Sequence, residues 1–115
     1  MNTRQVGPFT VNPIGLGCMN ICPVYGTPPS EADAQKLLLT ALDEGVVFFD
    51  TAALYGFGES ERIIGKTLSG KRSQFTLASK CGLHGVDKNG TAKKYACSMA
   101  VLKPSEPPVK TVCAV

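Results

Sequence analysis

Short apolar runs alternate with amphipathic segments of helical periodicity along this chain, and that alternation limits the possible folds most strongly. The runs at 11–19, 46–52 and 75–82 are typical of strands. The segments at 30–45 and 59–69 are typical of helices. Each connection is long enough for a helix to bring the next strand back parallel to the one before it. The sequence therefore predicts a β-α-β-α-β order and a parallel sheet.

The two helical segments carry clear end signals and apolar faces. Ser30 is a favourable N-cap for the first helix, and Gly45 supplies its stop. The apolar residues of this helix have helical spacing and predict one buried stripe, formed by Ala34, Leu37, Leu38, Ala41 and Leu42. The second helix is expected to bury Ile63, Ile64 and Leu68.

The composition limits the cellular compartments and the binding partners that the sequence is compatible with. No apolar run approaches the ~18 residues of a membrane span, and the N-terminus lacks the apolar core of a signal peptide. The five cysteines are odd in number and scattered, and His84 is the single histidine. We therefore expect a cytoplasmic chain with no disulfides, no metal site and no membrane partner.

The net charge of +3 does not indicate nucleic-acid binding once it is located in the sequence. Residues 1–90 carry equal numbers of basic and acidic side chains. The excess positive charge comes from the region after residue 90, where one acidic residue, Glu106, is outnumbered by four lysines: Lys93, Lys94, Lys103 and Lys110. Four lysines without interleaved aromatic residues make a poor phosphate-binding surface, so no nucleic-acid partner is expected.

The helical and strand patterns end at Gly82, and the remaining sequence has a different character. A polar, glycine-rich stretch follows, and three prolines interrupt the last segment. We expect residues 1–90 to form the folded portion and residues 91–115 to be an appended, disordered tail.

Three chemically active side chains fall near strand ends. Asp50 ends the second predicted strand, Tyr55 lies in the loop after it, and Lys80 is near the end of the third. Parallel pairing would bring all three to the carboxyl edge of the sheet, where α/β proteins place ligands and catalysis. Each residue alone has a structural explanation: a capping aspartate, a tyrosine packed at the rim and a lysine reaching to water.

Together the three side chains make chemical sense. A phenol is a weak acid at neutral pH, and an adjacent ammonium makes it a better proton donor by stabilising the phenolate. A partly buried ammonium in turn needs a carboxylate. The set could protonate a carbonyl oxygen while hydride arrives at the carbonyl carbon.

Three segments resemble the aldo-keto reductases: GLGCM at 15–19, FFDTAALYGFGESERIIGKTL at 48–68 and FTLASKCG at 75–82. The pattern D-T-A-x-x-Y-G within the second segment is highly specific for that family. The resemblance covers about residues 3–90, with the elements in family order. It implies an α/β fold, a partial (β/α)8 TIM barrel of about three N-terminal βα units.

The resemblance also implies roles for individual residues. Tyr55 corresponds to the general acid, Lys80 to the residue that makes it a stronger acid, and Asp50 to the partner of that lysine. Gly17, Cys18 and Met19, together with Asp50, would lie near the nicotinamide end of NADP(H). The implied reaction is the reduction of a small aldehyde or ketone by hydride from NADPH.

Two departures from the family predict that this chain is truncated and inactive. The catalytic histidine that ends the fourth strand of the family has no match, since His84 follows the third strand. A complete barrel also needs ~250 residues. Two alternatives stay open: a residual or complemented reductase, and a small non-enzymatic α/β binding or thiol-redox module based on Cys18, Cys22 and Cys81.

The tail suggests a specific origin for the departure. The hypothesis is that residues after Tyr95 are translated out of frame. Joining the third base of each codon to the first two bases of the next allows synonymous choices that spell RVFDGRPEAFRATREDSLRR. That string resembles the segment that follows in the family.

Overall fold

The structure, a computed structural model, describes residues 2–22, 26–81 and 100–102. The predicted loop containing His84 and the tail at 91–99 and 103–115 lie outside the described residues. The strands and helices follow one another as β1 (Arg4–Val6), β2 (Phe9–Val11), β3 (Leu16–Gly17), α1 (Glu31–Asp43), β4 (Phe48–Asp50), α2 (Glu59–Leu68), β5 (Thr76–Ser79) and β6 (Ala100–Leu102).

The strands β3, β4 and β5 lie side by side and run parallel, which confirms the predicted β-α-β-α-β order. The first strand is shorter than the predicted 11–19. Val11 instead ends β2, which pairs antiparallel with β1 in a separate hairpin. Pro13, which has no N–H to donate to a ladder, separates that hairpin from β3.

The strand β6 was not predicted from the sequence. It pairs antiparallel with β5, with Leu77 opposite Leu102 and Ser79 opposite Ala100. The four-stranded sheet therefore has the order β3-β4-β5-β6. Its first three strands have the predicted parallel topology, and β6 lies beside β5 and runs antiparallel to it.

Helix α1 forms where its end signals predict. The Ser30 hydroxyl accepts a hydrogen bond from the Asp33 N–H at 3.1 Å, as an N-cap does. Ala34, Leu38 and Leu42 are buried as expected. The expectation that Leu37 is buried is wrong, because Leu37 is 47% exposed. The apolar stripe is narrower than predicted, and Leu37 lies at its solvent edge.

Helix α2 buries Ile63, Ile64 and Leu68 against the sheet, as predicted. The core between the helices and the sheet also contains Phe49 and Phe75, whose rings meet edge-on with centroids 5.5 Å apart. Since side chains alternate along a strand, the burial of Phe49 in this core directs Asp50 to the opposite face. Within the described part of the chain, no helix is long and apolar enough to cross a membrane.

Candidate active site

The parallel register gathers the predicted site residues at one edge of the sheet. Asp50 is the last residue of β4, and its register partners are Gly17 in β3 and Ala78 in β5. Lys80 lies two residues after Ala78 and therefore on the same face as Asp50. The carboxyl ends of the three strands thus bring together residues that are far apart in sequence.

The Lys80 ammonium is the centre of this cluster. Its Nζ donates hydrogen bonds to Asp50 Oδ1 at 2.6 Å and to the Thr51 carbonyl at 2.9 Å. The same Nζ lies 5.3 Å from the centroid of the Tyr55 ring. The Lys80 and Asp50 side chains are 40% and 33% exposed, so the pair lies at the surface of the site rather than within the core.

The surroundings of Lys80 favour its charged form. Burial acts to lower the pKa of the Lys80 ammonium, but other effects outweigh it. The hydrogen bond to Asp50 and the charge of Asp50, with a smaller contribution from Tyr55, raise this pKa above the ordinary lysine value. The ammonium is therefore a lasting positive charge next to the phenol.

A sharp turn carries Tyr55 to the sheet edge. The Ala53 N–H donates to the Lys80 carbonyl at 2.9 Å, which ties the start of the turn to the end of β5. After Tyr55, three successive residues have left-handed backbones, with φ of 58° at Gly56, 55° at Phe57 and 93° at Gly58. Glycine adopts this conformation without strain, whereas Phe57 does not. The turn reverses the chain so that α2 can begin directly afterwards.

Two buried hydroxyl groups behind the cluster, those of Thr51 and Ser60, were missed by the sequence analysis. Thr51, Ser60 and Cys18 are each 0% exposed. The Thr51 and Ser60 oxygens are 2.7 Å apart, and Ser60 Oγ donates to the Cys18 carbonyl at 2.8 Å. In the sequence, Thr51 resembles an ordinary strand-end residue and Ser60 an ordinary first-turn helix residue. Thr51 belongs to the D-T-A-x-x-Y-G pattern and Ser60 lies four residues after it, and only this place could have drawn attention to them.

The predicted cofactor residues differ in what they can offer a ligand. Gly17 is exposed, and a Cβ built on it would meet no atom within 4 Å. Met19 is half-buried. Cys18 is already fully engaged, because its side chain is buried, its N–H donates to the Asp50 carbonyl at 2.8 Å and its carbonyl accepts from Ser60. Gly17, Met19 and Asp50 are thus the accessible members.

A cleft of about 410 Å³ reaches the same edge of the sheet. Phe48, Asp50 and Gly17 line it from the sheet, and Arg4 and Val6 from the hairpin. Among residues 2–22 and 26–81, no group of three or more His, Cys, Asp or Glu side chains converges as metal ligands would. The accessible chemistry of the site is that of a carboxylate, an ammonium and a phenol, and of these three groups the Asp50 carboxylate lines the cleft.

Parallel βα units with chemically active side chains at the carboxyl edge of the sheet are typical of part of a (β/α)8 barrel. The sequence model of the Aldo/keto reductase family matches residues 13–105. Since this match covers most of the chain, the chain belongs to the aldo-keto reductase family.

Individual relatives agree with this assignment. The chain is 43% identical over 82 residues to an aldo-keto reductase [NADP(+)] of Schizosaccharomyces pombe, an alignment that covers 70% of this chain and 24% of the relative. It is 37% identical over 74 residues to pyridoxal 4-dehydrogenase of Microbacterium luteolum, covering 64% and 21%. The chain thus spans about a quarter of the length of these curated relatives.

Solved structures show the same fold. An aldo-keto reductase of Bacillus halodurans in its holo form has a TM-score of 0.68 and 32% identity, over 83% of this chain and 30% of that one. A glycerol dehydrogenase of Gluconobacter oxydans has a TM-score of 0.63 and 32% identity, over 88% and 30%. These neighbours are (β/α)8 barrels, and the present chain forms part of that fold, as predicted.

Proposed function

We propose that this chain supplies the proton-donating part of an NADP(H)-dependent carbonyl reductase that acts on small aldehydes or ketones. The observation that carries the proposal is the Lys80 ammonium held between the Asp50 carboxylate, at 2.6 Å, and the Tyr55 ring, at 5.3 Å. A cation beside a phenol stabilises the phenolate that remains after proton transfer. This arrangement suits a general acid that acts at neutral pH.

Each side chain has a distinct part in the proposed reaction. Tyr55 Oη gives its proton to the carbonyl oxygen of the substrate, so that charge does not accumulate on that oxygen. Lys80 stabilises the phenolate that forms on Tyr55. Asp50 accepts a hydrogen bond from Lys80, which keeps the ammonium charged and oriented. NADPH, when bound, supplies the hydride that the carbonyl carbon receives.

The residues present fit the nicotinamide end of such a cofactor. Gly17 has no side chain and open space beside it, so a flat ring can approach the strand closely. The cleft of about 410 Å³ leads to Asp50 from the hairpin side. Gly17, Met19 and Asp50 are therefore the residues that would hold this end of NADP(H), with Cys18 fixing the backbone between them.

We also propose that the 115-residue polypeptide on its own does not catalyse carbonyl reduction. The chain spans 24% of the Schizosaccharomyces pombe relative, and its parallel strands β3, β4 and β5 do not close a barrel. A site built at a barrel mouth takes residues from several strands, so the described part lacks much of the surface that a cofactor and substrate need. The cytoplasm stays the expected compartment.

A thiol-redox module based on Cys18, Cys22 and Cys81 is the alternative candidate, and the surroundings of Cys18 and Cys22 argue against it. Burial, with the nearby charge of Asp50, raises the pKa of the Cys18 thiol to about 12. Burial also raises the pKa of the Cys22 thiol above its ordinary value. A reactive cysteine needs a lowered pKa and access to solvent, and these two residues have neither.

A chimera tests the proposal. Residues 13–81 of this chain would replace the matching segment of the Schizosaccharomyces pombe relative, and NADPH consumption would be measured with a panel of aldehydes and ketones. We expect turnover in the chimera, and a loss of about 100-fold or more in both Tyr55→Phe and Lys80→Met. Lys36→Met on the exposed side of α1 is the matched control and is expected to keep the rate. Undiminished turnover in Tyr55→Phe would refute the proposed function.

A further inference from the structure

Two buried hydroxyl groups next to the site have no part in the proposed proton transfer. Thr51 and Ser60 are fully buried, and their oxygens are 2.7 Å apart. A buried hydroxyl destabilises a protein unless it is hydrogen-bonded, and the contact between these two oxygens supplies a hydrogen bond to both groups. Among the described residues, no buried side-chain nitrogen or oxygen lacks a hydrogen-bond partner.

The direction of these hydrogen bonds is fixed by chemistry. A serine hydroxyl has one proton to donate, and the Cys18 carbonyl can only accept. Since Ser60 Oγ donates to that carbonyl at 2.8 Å, its proton is committed. The Thr51 hydroxyl must therefore donate to Ser60 Oγ. The result is a directed chain from Thr51 to Ser60 to the Cys18 carbonyl.

These hydrogen bonds connect three segments of the polypeptide that position the site residues. Thr51 follows β4 and Ser60 lies in the first turn of α2, so their contact closes the base of the loop that holds Tyr55. Thr51 also presents its own carbonyl to Lys80 Nζ at 2.9 Å. Cys18 follows β3, and its N–H donates to the Asp50 carbonyl.

We propose that Ser60 and Thr51 are positioning residues, whose hydroxyl pair closes the Tyr55 loop and fixes the Thr51 carbonyl that orients the Lys80 ammonium. The inference rests on the proposed function, because it assigns these residues to the same site. It goes beyond that function by naming two groups that touch neither substrate nor cofactor. They act through the placement of Tyr55 and Lys80 relative to each other.

The placement of Lys80 can be measured without turnover. In the 115-residue chain, trace labelling with acetic anhydride and peptide mass spectrometry gives the reactivity of Lys80 relative to Lys36. Lys36 lies exposed on α1 and serves as a reference in the same molecule. The hydrogen bonds of Lys80 keep its amine protonated and held, so its labelling is expected to be slow.

The variants are expected to rank by how many hydrogen bonds they remove. Ser60→Ala removes both, and relative labelling of Lys80 is expected to rise about three- to tenfold, since one pKa unit changes the neutral amine fraction about tenfold. Thr51→Val keeps the bond from Ser60 to Cys18, so a rise of about two- to threefold is expected. Thr51→Ser keeps the hydroxyl and is expected to stay within about 1.5-fold of the wild type.

Two outcomes would overturn the proposal. One is unchanged labelling of Lys80 in both Ser60→Ala and Thr51→Val while the near-ultraviolet circular dichroism stays native. The other is an equal rise in Thr51→Val and Thr51→Ser, since that result would assign the effect to side-chain shape and not to the hydroxyl. If Ser60→Ala unfolds, the comparison of Thr51→Val with Thr51→Ser decides by the same criteria.

Kinetics in the chimera separate this inference from the proposed function. Ser60→Ala is expected to lower kcat about tenfold and to change KM by no more than about twofold, because loss of placement acts on the transition state. An unchanged kcat would overturn the inference while leaving the proposed function intact. Failure of the proposed function gives a different result, namely turnover that survives Tyr55→Phe. The labelling of Lys80 does not depend on that turnover.

Discussion

At the scale of single residues, Lys80 makes the contacts on which the site depends. Its ammonium binds the Asp50 carboxylate and the Thr51 carbonyl, and it lies beside the Tyr55 ring. Strand ends in a parallel sheet are predictable, which is why Asp50 and Lys80 could be placed together from sequence. The buried pair of Thr51 and Ser60 could not, because a contact between hydroxyls nine residues apart leaves no periodic pattern.

The ion pair between Lys80 and Asp50 predicts that Asp50→Asn has a lower free energy of unfolding than the wild type. This difference is expected to disappear at alkaline pH. The pKa of Lys80 in the folded state is raised above its ordinary value of 10.5. The pair therefore stabilises the fold fully below that ordinary value, and this contribution is lost as the pH rises through the folded-state pKa. We expect Asp50→Asn to be less stable than the wild type near neutral pH, and the gap to close above the ordinary lysine pKa. Urea unfolding across that range measures the gap.

The matched control for this prediction is Asp43→Asn, at the exposed end of α1. It is expected to show no such pH-dependent gap from the wild type. A gap for Asp50→Asn that stays constant through the alkaline range would mean that the ion pair is not its source.

At the scale of elements, α1 and α2 form one layer over the parallel strands. The second helix buries the residues that its sequence predicts, whereas Leu37 of α1 is exposed. Helical spacing fixes which residues share a face, but the width of the buried stripe depends on the neighbouring elements, which the spacing does not reveal. The strand β6 was missed for a similar reason, since a three-residue strand has no period of its own.

Neighbouring leucines in α1 provide a direct test of this packing. Leu38 is 0% exposed and Leu37 is 47% exposed. Leu38→Ala leaves a cavity and is expected to lower the free energy of unfolding by about 2–5 kcal/mol. Leu37→Ala is expected to change it by no more than about 0.5 kcal/mol. Urea unfolding of both variants checks the difference, and equal losses would contradict the observed orientation of the helix.

A cluster of charges on the outer side of the two helices predicts acid sensitivity. Glu31 of α1 receives 2.6 Å hydrogen bonds from Arg62 and Lys66 of α2. The bonds from Arg62 and Lys66 lower the pKa of Glu31 from its ordinary value of 4.5 to about 2. A lowered pKa means that this stabilisation is present above the ordinary value and disappears as the pH falls toward about 2.

The corresponding experiment compares Glu31→Gln with the wild type in urea at a series of pH values. The variant is expected to be less stable near neutral pH, and the difference is expected to shrink below pH 4.5. Added salt is expected to reduce it as well, because the cluster is exposed. Glu44→Gln at the opposite end of α1 is the control. A difference that persists unchanged at acid pH would contradict the proposed role of the Glu31 carboxylate.

At the scale of the whole molecule, the chain is part of an aldo-keto reductase barrel. Alternating strands and helices were enough to predict the parallel fold, and the D-T-A-x-x-Y-G pattern was enough to predict the family. The proposed boundary at residue 90 and the proposed change of reading frame after Tyr95 stay predictions. The family match extends to residue 105, and most of the tail lies outside the described residues.

The reading-frame hypothesis makes a prediction that needs only the nucleotide sequence. From the codon of Tyr95 onward, the shifted frame is expected to encode RVFDGRPEAFRATREDSLRR or a closely similar string. This result would explain the tail as family sequence read in the wrong frame. Codons that are incompatible with that string, or that place a stop within it, would exclude the hypothesis.

The most direct measurement of the central claim is the single-turnover rate of carbonyl reduction by the chimera carrying residues 13–81, with the enzyme in excess over NADPH. The claim predicts that Tyr55→Phe lowers this rate by about 100-fold or more, because the general acid is lost. It also predicts that the dissociation constant for NADPH stays within about twofold, which separates chemistry from binding. An equal single-turnover rate in wild type and variant would contradict the claim that Tyr55 donates the proton.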